Sequence, residues 1–222
     1  MIPLDKIEHS KHIVIEVNNE NFPQASILYS YSLLLHKKVS LFTVDGISSR
    51  YSFLPWFEKL RLNKPSSADA CIHTDIAILD LYFFLKELNI KLNKKMATAF
   101  YAGFLQEYDN FLSSQCDGIV FAVLSELIIA GADSQTCIRE LTQKVPLSVL
   151  RLKSIVYKKA LLKNNATLAY VELSNEELEA SGAKWDDIPF IAKKLLNIAH
   201  VEKVTIINVD EKDKIINLSK EI

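Results

Sequence analysis

The side chains able to do chemistry are thinly spread along this chain. Its five histidines, His9, His12, His36, His73 and His200, are scattered. His9 and His12 flank a predicted helix end, where solvent exposure is expected. The three cysteines, Cys71, Cys116 and Cys137, are widely separated and odd in number. No CxxC pair or Cys/His zinc-finger spacing is present, so they read as buried or idle thiols in a reducing cytoplasm. Serine, histidine and aspartate all occur, but no GxSxG elbow frames a serine nucleophile. The chain has five glycines, none adjacent, and neither a GxxxxGK[ST] nor a GxGxxG phosphate cradle. His73-Thr74-Asp75 puts an imidazole two residues before a carboxylate. A metal could use that spacing, while Thr74 or Asp75 could equally cap the helix that follows.

The bulk properties are those of an ordinary globular protein. The 222 residues suit one large domain or two small ones, enough to bury a core. Apolar residues make up 49% and charged residues 24%, with few glycines and prolines, which argues against disorder. A net charge of −1 excludes a general electrostatic grip on nucleic acid or an anionic membrane, although a local basic patch stays open. The opening MIPLDKIEHSKH has no apolar h-region, so no secretory signal is expected there. The longest apolar runs, such as Ile119–Leu124, are far too short to span a bilayer. A cytoplasmic protein without a membrane partner is expected.

The elements that must position any site follow from periodicity. His12–Val17 and Val39–Val44 read as buried parallel strands, with a helix over Ala25–His36 between them, which makes a βαβ unit. Asn18–Gln24 is a polar loop, and Asp45-Gly46 ends the second strand. The aromatic run Arg50–Leu60 reads either as core or as a subunit contact through Tyr51, Phe53, Trp56 and Phe57. Residues 63–69 form a loop, and helices follow from about Ile76 to Gly131. Asp117 is a fitting N-cap for an apolar helix ending at Gly131. A short helix over 134–144 precedes one started by Pro146 and reaching about Leu162. After a break at Lys163-Asn164-Asn165 come a strand (167–173) and a helix opened by the Ser174/Glu177 capping box. A further helix over about 187–199 and a hairpin of 204–209 with 214–218 complete the chain. The expected division is an α/β domain over 1–145, a connecting helix over 146–164 and a small α+β domain over 165–222.

Several stretches resemble the DHH-type phosphoesterases, in particular the small branch that degrades short oligonucleotides or cyclic-dinucleotide products, with RecJ as a more distant relative. They are HKKVSLF (36–42), RYSFLPWFEKLR (50–61), MATAFYAGFLQEYDNF (96–111), ELIIAGAD (126–133) and VPLSVLRLKSI (145–155). AYVELSNEELEASGA resembles the start of the family's C-terminal substrate domain. The resemblance implies a parallel-sheet DHH-like N-terminal domain rich in helices and a small α+β C-terminal domain, the first reduced and the second truncated. It also implies two divalent ions, usually manganese, held by aspartates and histidines to activate water.

Against that pattern the ligands are depleted. The loop after the first strand, Asn18–Gln24, lacks the family's His-x-x-x-Asp-x-Asp, leaving Glu20 with Glu16 just before it. The Asp of the second motif and the Asp-His-His motif are not found between Ser66 and Asp75, where His73 and Asp75 are the nearest stand-ins. The carboxylate that the family places after Tyr-Ala-Gly falls on Glu107, the one candidate catalytic residue. The Gly-Gly-Gly-His substrate loop is missing before the chain stops at Ile222. The expectation is therefore a family member that has lost metal-dependent phosphodiester hydrolysis and serves as a non-catalytic binding or assembly module. It needs no cofactor and acts as a homodimer or pairs with an active relative. The alternative is an active manganese-dependent phosphoesterase or exonuclease on short oligonucleotides or cyclic-dinucleotide products with a rebuilt site, and a short oligonucleotide or nucleotide is the expected ligand. Its ligands would come from Glu16, Glu20, Asp69, His73, Asp75 and Glu107, with Glu20, His73, Asp75 and Glu107 the metal candidates.

Overall fold

Strand β1 (His12–Glu16) occupies the centre of the first sheet because each of its flanking strands can satisfy one edge of its backbone. The computed structural model describes Ile7 and residues 9–220. The stretch read for a leader and the chain end thus lie partly outside the described residues. The chain divides into two compact units, 1–144 and 145–222.

In the first unit β1 leads through α1 (Phe22–Leu34) to β2 (Lys38–Phe42), the expected βαβ crossover. Helix α1 begins earlier than the periodicity predicted. Pro23 sits in its first turn, where a missing N–H costs nothing, and Phe22 is fully buried. Two strands escape the sequence reading. β3 (Leu60–Arg61) pairs with β2, and β4 (Ala70–His73) pairs with β1, giving an all-parallel order β3-β2-β1-β4. Both are short and only partly buried, so neither shows the apolar run that marks a parallel strand.

Helices α2 (Ile78–Glu87), α3 (Lys94–Glu107), α4 (Gly118–Ile129) and α5 (Ser134–Ile138) follow. Asn93 caps α3, and Asp117 caps α4 as expected, accepting from the N–H groups of Ile119 and Val120. The predicted helix over 134–144 is α only to Ile138 and widens into a π turn over Arg139–Gln143. Ile13 and Ile15 on the sheet join Phe22, Leu28, Phe100 and Phe104 in one buried cluster. The aromatic segment belongs to this core. Tyr51 is fully buried, and Trp56 lies 4.8 Å from the Tyr29 ring and donates to Ser30 Oγ on α1.

The second unit holds α6 (Leu147–Lys159), β5 (Leu161–Lys163), β6 (Leu168–Leu173), α7 (Asn175–Ser181), α8 (Ile188–Leu195), β7 (Lys203–Asn208) and β8 (Ile215–Ser219). The helix expected to reach Leu162 stops at Lys159, and β5 pairs antiparallel with β6 instead. The capping box forms: Ser174 Oγ accepts from Glu177 N, and Glu177 Oε2 accepts from Ser174 N. β6 and β7 are parallel, and β7 and β8 form the expected antiparallel hairpin. Leu152, Val156, Val171, Ile191 and Ile206 form this unit's own core.

Candidate functional site

The strand order creates one place suited to a ligand. From β1 the chain moves outward to β2 and β3, then returns to the opposite side of β1 as β4. In open parallel sheets ligands bind beyond the carboxyl ends of the strands at such a reversal, because the two departing loops diverge and leave a crevice. Glu16 ends β1 and His73 ends β4, and the two are paired in register across that switch point.

The loop after β1 is closed by its own amides. Asn18 Oδ1 accepts from the N–H groups of Glu20 and Asn21, and Asn21 Oδ1 accepts from Asn18 N at 2.8 Å. Asn19 Oδ1 accepts from Ser48 N. Gln106 on α3 donates to the carbonyls of Asn19 (3.3 Å) and Glu20 (2.5 Å). Gln106 in turn accepts from Tyr51 OH, on which the Arg50 guanidinium both donates and stacks. This segment is a built turn whose asparagine side-chain oxygens are already committed. The charge of Glu20 helps raise the Tyr51 hydroxyl above its ordinary pKa, after the larger effect of burial.

Glu107 stands at the end of α3, and its Oε2 accepts from Ile78 N at 2.8 Å. It therefore satisfies an orphan N–H at the start of α2, where the helix dipole favours a negative charge. The expected cap from Thr74 or Asp75 does not form: the N-cap position is Ala77, which has no side chain to offer. Thr74 is buried and donates to the Asn21 carbonyl at 3.5 Å. Although Glu107 is exposed as a residue, partial withdrawal of its carboxyl from water raises its pKa. The Ile78 N–H opposes that shift, and nearby Asp80 adds to it.

Asp69 lies at the other end of the sheet. Its carboxylate accepts from Lys11 N and His12 N, both at 2.9 Å, and those bonds hold its pKa down. Four residue steps along β1, from His12 to Glu16, separate this point from Glu16, roughly 13 Å at strand rise, so the two cannot share an ion. His12 is buried rather than exposed. Nδ1 donates to the Ser67 carbonyl at 3.1 Å, which leaves Nε2 to accept from Ser40 Oγ at 3.0 Å. Its burial is tolerated because both ring nitrogens are satisfied.

Among the described residues one group of three donors converges: Glu16, Cys71 and His73, whose ligand atoms lie within 4.8 Å of one another. Glu20, Asp75 and Glu107 do not join it. Cys71 was not legible as a candidate, because its pairing with His73 depends on the strand β4 that the sequence did not reveal. Two manganese ions need several carboxylates. This group has one carboxylate, one thiol and one imidazole, a set that does not fit a manganese pair.

No protein-family model and no curated protein matches the sequence. The fold is nonetheless defined: an α/β architecture with a parallel four-stranded sheet, helices and a second small sheet. The chain is similar to the crystal structure of an exopolyphosphatase-related protein from Bacteroides fragilis. The TM-score is 0.80 at 14% identity, over 98% of this chain and 82% of that one. It also aligns at a TM-score of 0.29 and 14% identity, over 89% of this chain and 64% of the other, with a structure from Methanococcus jannaschii assigned to the family II inorganic pyrophosphatases. Among the described residues no helix is long and apolar enough to cross a membrane.

Proposed function

We propose that this protein is a DHH-type phosphoesterase-fold protein of the cytoplasm that has lost two-metal phosphodiester hydrolysis and serves as a non-catalytic binding or assembly module. The observation that carries this reading is the composition of the crevice between β1 and β4. It offers one carboxylate in its donor group, while Glu107 is engaged at the start of α2. Two-metal catalysis needs carboxylates that bridge and flank both ions, and a single acid cannot neutralise them. An assembly role is supported by α4, whose outward side carries Phe121 (54% exposed), Ile128 (52%) and Ile129 (84%), with Leu112 (74%) just before the helix. A homodimer or a complex with an active relative would cover that side, and a short oligonucleotide or nucleotide is the ligand class for the crevice.

The test is hydrolysis of 5′-phosphorylated di- and trinucleotides and of inorganic polyphosphate by the full chain, with manganese, with magnesium and with chelator. No turnover above the chelated blank is expected. Metal-dependent product release that Glu107→Gln abolishes would overturn the proposal and establish a rebuilt manganese site.

A further inference from the structure

The convergence of Glu16, Cys71 and His73 has a geometric cause that the loss of a manganese pair does not explain. Side chains alternate across a strand, so Cys71 and His73, two apart on β4, project from the same face about 7 Å apart along it. Parallel register then places Glu16 beside His73, and Val14 beside Cys71. The longer Glu16 side chain reaches back between the two. Its Oε2 lies 3.9 Å from Cys71 Sγ and 3.9 Å from His73 Nδ1. Cys71 donates a long bond to Oε2 and His73 stands at the outer limit of an ion pair with it, so neither contact holds the carboxylate tightly.

We propose that Glu16, Cys71 and His73 form a mononuclear site for a borderline-soft divalent cation of the zinc class. Bonds of about 2.0–2.3 Å put tetrahedral donors roughly 3.3–3.8 Å apart, so small side-chain rotations would close this group around an ion. Thiolate and imidazole select zinc-like ions over manganese or magnesium, and two anionic donors balance the dication. On binding, the Cys71 thiol gives its proton to solvent and the sulfur takes a bond to the metal. Three protein ligands leave a fourth position for water or an anionic oxygen, and it faces solvent because the His73 side chain is 66% exposed. The ion lies at the switch point of the sheet, where a phosphate-bearing ligand would meet it. This inference goes beyond the binding-module reading and does not depend on it: the site stands or falls whether or not the protein turns over a substrate.

The experiment is a cobalt(II) titration of the untagged full chain in chelator-treated buffer, followed by absorption. One equivalent per chain is expected to produce a thiolate-to-cobalt charge-transfer band in the near ultraviolet and the visible bands of a four-coordinate ion. Zinc should bleach both, and manganese at the same concentration should not. Cys71→Ser should abolish the charge-transfer band. His73→Gln, at an exposed position with little risk to folding, should weaken cobalt binding at least about tenfold, since even outer-sphere changes cost that much. Cys116→Ser should leave the spectrum unchanged. Absence of the band in the parent protein, its survival in Cys71→Ser, its loss in Cys116→Ser, or displacement of cobalt by manganese would each overturn the proposal. If Cys71→Ser fails to fold, His73→Gln decides: unaltered affinity refutes the site.

Discussion

Replacing Glu107 separates a structural carboxylate from a catalytic one. Glu107→Ala removes the acceptor for Ile78 N, a bond of 2.8 Å, and leaves an orphan N–H at the start of α2. Losing a helix-start acceptor costs about 1 kcal/mol. In a unit of this size that lowers the midpoint of thermal unfolding by roughly 2–4 °C. Glu107→Gln keeps an oxygen acceptor and should lose less. The pH dependence has a definite sign. Burial raises the pKa of Glu107 above its ordinary 4.5, so the folded protein holds this proton more tightly than the unfolded chain. Relative to Glu107→Gln, the parent is therefore most stable below that ordinary value and loses the advantage as pH rises through the raised one. The assay is thermal unfolding read by the fluorescence of Trp56, in a Trp185→Phe background that silences the second unit. No measurable loss in Glu107→Ala would refute the capping role. So would manganese stabilisation of the parent that vanishes in the variant, which would make Glu107 a metal ligand.

The remaining predictions probe packing and charge. A Cβ at Gly103 would lie 2.6 Å from Ile78 Cδ1 and 2.9 Å from Cγ1 in a fully buried contact. Overpacking of about 1–3 kcal/mol then outweighs the ~1 kcal/mol helix gain. Gly103→Ala should thus destabilise, and adding Ile78→Val should restore part of the loss, as read by denaturant unfolding. Ser174→Ala removes one half of the capping box and should cost the second unit about 1 kcal/mol, followed through Trp185 fluorescence. Hydrogen bonds from Tyr82 and then Lys86 hold the Glu126 pKa below its ordinary 4.5. The stability difference between the parent and Glu126→Gln should therefore be present above that value and shrink as pH falls through the lowered one. Burial, with Asp133 adding to it, pushes the Cys137 thiol up to about 12, so native protein at pH 8 should leave Cys137 unlabelled by a thiol reagent that modifies Cys71 and Cys116.

What the sequence revealed divides along the range of the interactions involved. His12–Val17, the Asp117 cap and the Ser174/Glu177 box are local signals, readable because a strand core or a helix start depends on residues a few positions apart. The bond from Glu107 to Ile78 joins residues 29 apart, so the sequence points to Glu107 as a catalytic or metal candidate and not to its place at the start of α2. His12 read as exposed because its partners, Ser40 and Ser67, come from elsewhere in the chain. Taken alone, Cys71 reads as an idle thiol and His73 as an isolated ligand candidate. Only the pairing of the short, half-buried β4 with β1 puts them on one face beside Glu16, and a strand of four residues is too short to leave a periodic trace.

The turn after β1 carries a further consequence. Its backbone is held by Asn18 and Asn21 from within, by Ser48 and Gln106 from neighbouring segments, and through Gln106 by Tyr51 and Arg50. A ligand entering the crevice meets a wall that has already surrendered its conformational entropy in folding, so little of the binding free energy goes into ordering it. The same wall could also take charge at little cost. Asn18, Asn19 and Asn21 serve the turn only as acceptors of backbone N–H groups, so an aspartate at any of the three would keep its strut while bringing a carboxylate to the rim of the crevice.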